Sequence, residues 1–182
     1  MQGKTRGLVD LYHRLLSPRV AALIVTLRED GLPNAMVAAW HTPVSIKPPI
    51  LAVSIAPGRL TRRLIQNAGE FTVNIPDASL IKEVKIAGSK SGASYDKSKL
   101  FRYVPGLRVR TPVIKNALGC IECTLNRILE MGDHSVVFGN VVAAYAKGFK
   151  EVWISSSPLL HLGSDYYTTV GRRLELKNDE PK

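Results

Sequence analysis

The residues best placed to do chemistry stand just after Pro57-Gly58, where Arg59, Thr61, Arg62 and Arg63 open a short helical pattern. Cations at a helix N-terminus oppose the macrodipole, each by ~0.3–1 kcal/mol. The arrangement makes sense if an anion binds there, since free N–H groups, a threonine hydroxyl and guanidinium groups together make a phosphate site. A solvated basic face would use the same residues. A second candidate is the turn Gly132-Asp133-His134, which sets an imidazole at a hairpin tip, either toward a ligand or in water. A third is a run of small residues. In 50–56 the alternate positions Leu51, Val53 and Ile55 are large, while Ala52, Ser54 and Ala56 are small, and Ala35 and Ala39 repeat the pattern in 34–40. Small side chains on neighbouring strands leave a trough where a flat ring can lie against backbone. Close packing against a helix or another subunit would also use them.

Other chemistries are excluded by spacing. Cys120 and Cys123 have Cys-x-x-Cys spacing, but three residues apart on a strand they point to opposite faces and cannot share a metal or a disulfide. No second ligand pair lies nearby, so no metal site is expected. There is no Gly-x-Ser-x-Gly elbow, no P-loop and no Gly-x-Gly-x-x-Gly turn. Any nucleotide must be held by other means.

The elements that must position these residues are mostly strands. An N-terminal helix is predicted over 7–16, with Leu8, Leu11, Leu15 and Leu16 on one stripe. Residues 20–27 read as a buried strand, Asp30-Gly31 as a hairpin turn, and 34–40 as its partner. Pro43, Pro48 and Pro49 mark a loop before a strand over 50–56. A helix follows over 60–67, with Thr61 available as a cap, then a strand over 70–75 and a helix over 79–87 capped by Ser79. Residues 89–99 read as a loop. Two long strands, 118–130 and 135–146, are joined at Gly132-Asp133 and followed by short strands at 158–162 and 166–170. The end, 177–182, is a polar tail. The pattern is that of a mainly β chain with short helices, forming a closed or partly open antiparallel barrel.

Composition narrows the partners. The chain has 182 residues, which suits one domain over 1–182 with its core in about 20–171. The net charge is +10, from 25 Lys+Arg against 15 Asp+Glu, and it favours an anionic partner. The basic residues are scattered and only 7% of residues are aromatic, which argues against a single-stranded nucleic-acid barrel. No leader is visible at Met1–Gly7 and no apolar run approaches the roughly 18 residues that a span needs. A soluble, cytoplasmic protein without a membrane partner is the expectation.

The run Asn34-Ala35-Met36-Val37-Ala38-Ala39-Trp40-His41-Thr42-Pro43-Val44-Ser45, continued by Pro48-Pro49-Ile50-Leu51-Ala52-Val53-Ser54-Ile55, resembles the flavin-reductase-like, FMN-binding split-barrel family. Arg59-Leu60-Thr61, Gly69 through Pro76, Ser91-Gly92 with Asp96-Lys97, Gly132-Asp133-His134 and Pro158 through Leu162 with Tyr166-Tyr167 continue the pattern in order, covering about 20–171.

The resemblance implies an antiparallel Greek-key split barrel that works as a homodimer and binds FMN, or FAD, near the subunit interface. Met36 would be among the cofactor contacts, and the stretch Ala39, Trp40, His41 and Thr42 would meet the ring. Ser54, Arg59 and Thr61 would hold the phosphate, and Ser89 and Lys97 would close the site. His134 would lie on the open ring face as a positioning residue, where NADH or NADPH is admitted. The implied activity is an NAD(P)H-dependent flavin or ferric reductase, an oxidoreductase passing hydride from nicotinamide to flavin. A flavoredoxin-like carrier with tightly bound FMN and a protein donor is the alternative. Ala39 and Val37 depart from the polar residues common at those positions, which weakens the expected ring contacts more than the phosphate site.

Overall fold

The structure, a computed structural model, describes residues 9–172 and Leu174. Gly7 and Leu8 of the expected first helix, and the 177–182 tail, lie outside the described residues. A 3₁₀ helix, Val9–Leu16, leads into β1 (Arg19–Val20), β2 (Ala22–Leu27), β3 (Pro33–Ala38), β4 (His41–Ser45) and β5 (Ile50–Ile55). Then come α1 (Leu60–Ala68), β6 (Glu70–Ile75), a 3₁₀ turn Ala78–Leu80 and α2 (Ile81–Ser89). The chain continues with β7 (Tyr103–Val104), β8 (Val113–Ile114), β9 (Gly119–Met131), β10 (His134–Ala146), β11 (Leu159–Gly163) and β12 (Tyr166–Thr169).

Seven strands form one sheet in the order β3-β2-β6-β9-β10-β5-β4, with every pair antiparallel. Between β5 and β6 the chain crosses by way of α1 and leaves two places that β9 and β10 later fill. This is the Greek-key step of a split barrel. β1, β11 and β12 make a small second sheet, and β7 pairs with β8.

β2 explains the uninterrupted apolar run read from the sequence. Ala22 and Ile24 join one core cluster with Val53, Ile55, Phe71 and Val137. Ala21, Leu23 and Val25 join another with Val84, Ala87, Phe101 and Leu159. Both faces of β2 are therefore covered within the chain, so its apolarity calls for no second subunit. The inner cluster closes through a tight contact at Gly139. A Cβ there would meet Phe71 Cζ at 2.6 Å and Cys123 Cβ at 2.8 Å, so only glycine lets β10 lie on the buried phenyl ring. The ladder with β9 shifts register at this point, between Phe138 and Gly139.

Three expectations are corrected. The stretch taken as a proline loop contains β4, an edge strand in which Pro43 is tolerated because no further strand needs its missing N–H. The turn before α2 is capped by Asp77, whose Oδ1 accepts from the Ser79 N–H at 2.9 Å, so Ser79 is not the cap. The trough imagined between 34–40 and 50–56 does not join neighbouring strands, for β3 and β5 stand apart in the sheet and Ala35 is buried in the cluster under α2.

Between β7 and β8 the chain is held by one buried carboxylate. Glu122, with no exposed surface, accepts from the N–H groups of Leu107 (2.7 Å), Arg108 (2.7 Å) and Val109 (3.1 Å), and from the Tyr145 hydroxyl (2.9 Å). Burial raises its pKa, but the donors on Leu107, Arg108, Tyr145 and Val109 outweigh burial and leave it below its ordinary value. Glu122→Ala strands these donors. It should destabilise the fold by about 3 kcal/mol or more, read from denaturant midpoints. Because the folded pKa is lowered, the Glu122 contribution is complete above the ordinary carboxylate range and is lost as pH falls through the folded value. The gap between wild type and Glu122→Ala should therefore narrow in acid, and a gap independent of pH would contradict the carboxylate's role.

Candidate functional site

One concavity is a cleft of about 570 Å³, and the register of three strands builds it. β5 lies between β4 and β10, which sets Thr42 against Ala52 and Ser54 against Val136. All four line the cleft. Trp40 lies in the break between β3 and β4, and its carbonyl accepts from the Ser54 N–H at 2.8 Å. Its indole, half-buried, meets two imidazoles. The His134 ring stacks on it at 4.9 Å between centroids and 28° between planes, and the His13 ring tilts against it at 5.3 Å. Gly132, at φ 63°, allows the tight turn that brings His134 back over the sheet. His134 Nδ1 is held by Asp133 Oδ1 at 2.7 Å.

His41 also lines the cleft, but as a pin. Its Nε2 donates to the Val20 carbonyl at 3.0 Å. Burial pushes its pKa down against the opposing pull of that bond, and the Arg19 charge lowers it further.

Met36, Arg59, Thr61 and Lys97 meet in a second, narrow concavity of about 20 Å³, together with Asn34, Lys90 and Ser91. Arg59 is the extended residue before α1, with no side chain capping the helix and no acidic residue in its first turn. The expected cap, Thr61, is instead buried inside the helix, where its Oγ accepts from Asn34 Nδ2 at 3.2 Å. Arg62 is committed elsewhere. It pairs with Glu130 at 2.6 Å and reaches Ser135 Oγ at 3.3 Å, tying α1 to the hairpin that carries His134. Arg59 and Arg63 make no ion pair among the described residues.

Lys97 is 3% exposed, and its Nζ donates to the carbonyls of Ala35 (2.9 Å) and Ala87 (2.8 Å), joining the 89–99 loop to β3 and α2. Burial, then the neighbouring Arg59 charge, brings its pKa down to about 8. The ammonium thus sits where positive charge is costly and no carboxylate is bonded to it.

Ala39 and Ser89 fall in a third concavity of about 260 Å³ with Val37, His161 and Tyr167. The predicted residues are therefore distributed among three hollows. Trp40, His41, Thr42 and Ser54 share the first, beside His134. Met36, Arg59, Thr61 and Lys97 share the second, and Ala39 and Ser89 the third. Sequence reasoning missed Tyr12, His13, Leu16 and Arg19 in the cleft wall, because the first helix reads only as an amphipathic stripe. Cys120 and Cys123 are both buried free thiols, and only Cys123 enters the inner core cluster. Among the described residues no group of three His, Cys, Asp or Glu could hold a metal ion, and no helix is long and apolar enough to cross a membrane.

Residues 14–169 match the family described as flavin reductase like domain. An uncharacterized protein of Pyrococcus abyssi is 38% identical over 131 residues, covering 72% of this chain and 76% of that protein. A flavin reductase of Pseudomonas putida is 28% identical over 125 residues, covering 68% and 71%. The crystal structure of an FMN-binding protein from Thermus thermophilus with bound 1-cyclohex-2-enone superposes with a TM-score of 0.83 at 27% identity, covering 97% of each chain.

Lys97 makes stability depend on pH in a definite direction. The folded protein releases this proton near pH 8, while the unfolded chain keeps it toward the ordinary 10.5. Between those values the unfolded state binds more protons, so rising pH favours the fold. Denaturant midpoints at about pH 7.5 and about pH 9.5 should show wild type gaining on Lys97→Met. A constant difference between the two would mean that Lys97 keeps the proton affinity of a free lysine.

Proposed function

The chain belongs to the flavin reductase like domain family, and on that premise we propose that it binds FMN and takes reducing equivalents from NADH or NADPH. The observation that carries this reading is the pairing of a cationic hollow at the uncapped start of α1 with an aromatic cleft close by in sequence. Flavin, when bound, supplies the two-electron chemistry. The chain's own residues bind and orient.

The residues present fit such a group. A buried ammonium and a helix start without cap or carboxylate are both relieved by an anion. In this reading Arg59 and Thr61 hold the phosphate with Ser54 reaching it from the cleft, Lys97 and Ser89 close the site, Met36 lines the phosphate hollow, and Ala39–Thr42 borders the ring. The cleft volume is in the range typical of cofactor sites. His134, stacked on Trp40 and fixed by Asp133, orients a planar partner and needs no proton of its own. The same reading takes the chain as a homodimer. It is supported by the apolar side chains left exposed around the far end of β10, among them Val142, Tyr145, Phe149, Val152 and Ile154.

The purified protein should bind FMN, and the bound flavin should lose its yellow colour on anaerobic mixing with NADH or NADPH. A protein that takes up no FMN at micromolar levels would defeat the reading. Arg59→Ala with Thr61→Ala should weaken FMN by roughly 1.5–3 kcal/mol for each charge-assisted bond lost, and riboflavin far less. Equal losses for both ligands would assign these residues to the fold and not to the phosphate.

Lys97 gives an independent check. An anion beside it restores its proton, so phosphate binding takes up a proton above the folded pKa. FMN affinity should fall as pH rises through about 8, while riboflavin affinity stays level.

A further inference from the structure

The cleft holds one cation that the flavin phosphate does not need. Arg19 lines its wall, on β1, while the cations assigned to the flavin phosphate site, Arg59 and Lys97, gather in the separate hollow at α1. Its Nε donates to the Leu16 carbonyl at 3.2 Å, which anchors the guanidinium at the end of the first helix. Among the described residues Arg19 forms no ion pair, and no carboxylate lines the cleft. Its charge is felt within the cleft, at the His41 imidazole. Beside it stand Tyr12 and His13 from the same helix, with the His13 ring against Trp40.

A half-buried guanidinium beside a row of flat rings, with no acid to neutralise it, suits a ligand with both a planar base and a phosphate. We infer that Arg19 is an anion subsite in the cleft that reads a phosphate of the nicotinamide nucleotide. This rests on the proposed function and extends it, since it gives the first helix and β1 a part in choosing the electron donor. Two phosphates of such a nucleotide share the required chemistry, the bridging pyrophosphate and the 2′-phosphate of the phosphorylated form. The guanidinium's planar fork fits either one.

The test is equilibrium dialysis of wild type, Arg19→Gln and Arg19→Lys against NADP⁺ and against NAD⁺, with and without saturating FMN. Arg19→Gln should lose roughly tenfold or more in affinity, and Arg19→Lys should recover part of it. Loss confined to NADP⁺ assigns the 2′-phosphate, and equal loss for both nucleotides assigns the pyrophosphate. Thermal melting and FMN affinity should be unchanged in both variants. Equal binding by wild type and Arg19→Gln overturns the inference. So does a wild type that binds neither nucleotide, or an Arg19→Gln variant that loses FMN instead. The reductase reading fails separately, when wild type binds FMN and nucleotide but its flavin is bleached by neither NADH nor NADPH.

Discussion

Closure of the barrel depends on one steric condition, that β10 can lie directly against the Phe71 ring. Gly139 meets it by having no side chain, and the register shift beside it turns the strand as it passes. From that point β10 runs back toward its start, pairing with β5, and β5 in turn carries β4. Thr42, Ser54, Val136 and His134 are therefore placed by a contact that lies deep in the core. A small displacement of β10 over the phenyl ring would be transmitted to the cleft through two rigid ladders, because interiors packed this closely do not absorb it.

Charge is distributed differently from shape. The basic residues after Pro57 resemble a single cluster in sequence, yet the structure gives them separate tasks. Arg62 is used up by Glu130 and Ser135 and works as a strut between α1 and the β9–β10 turn. Arg59 stays unpaired among the described residues at the open helix start, next to an ammonium held only by backbone carbonyls. The cost of that placement appears in the lowered proton affinity of Lys97, which burial and the neighbouring Arg59 charge bring about.

The strands were legible where period and turn chemistry agreed. The apolar run in β2, Gly132-Asp133 between β9 and β10, and the large-small alternation of β5 all took their expected forms. Legibility failed where the deciding partner is remote in sequence. Pro43 reads as a loop until β4 is known to be an edge. Glu122 reads as an ordinary polar residue on a strand until the N–H groups of 107–109 fold over it. Asp77 and Ser79 are both capping types, and only backbone geometry chooses between them. In the candidate site, the residues on one short segment, Trp40 to Thr42, were found together. The contribution of Tyr12, His13 and Arg19 depends on where the first helix comes to rest, which no local pattern encodes.

The two cysteines have a consequence for durability. Burial pushes each thiol up to about 12, so both remain protonated at any physiological pH. Oxidants attack the thiolate, and solvent scarcely reaches either sulfur. A flavoprotein produces peroxide whenever dioxygen intercepts its reduced ring, and exposed thiolates beside such a source are converted to sulfenic acids and cross-links. By keeping both sulfurs protonated and enclosed, the fold withholds its thiols from such oxidants.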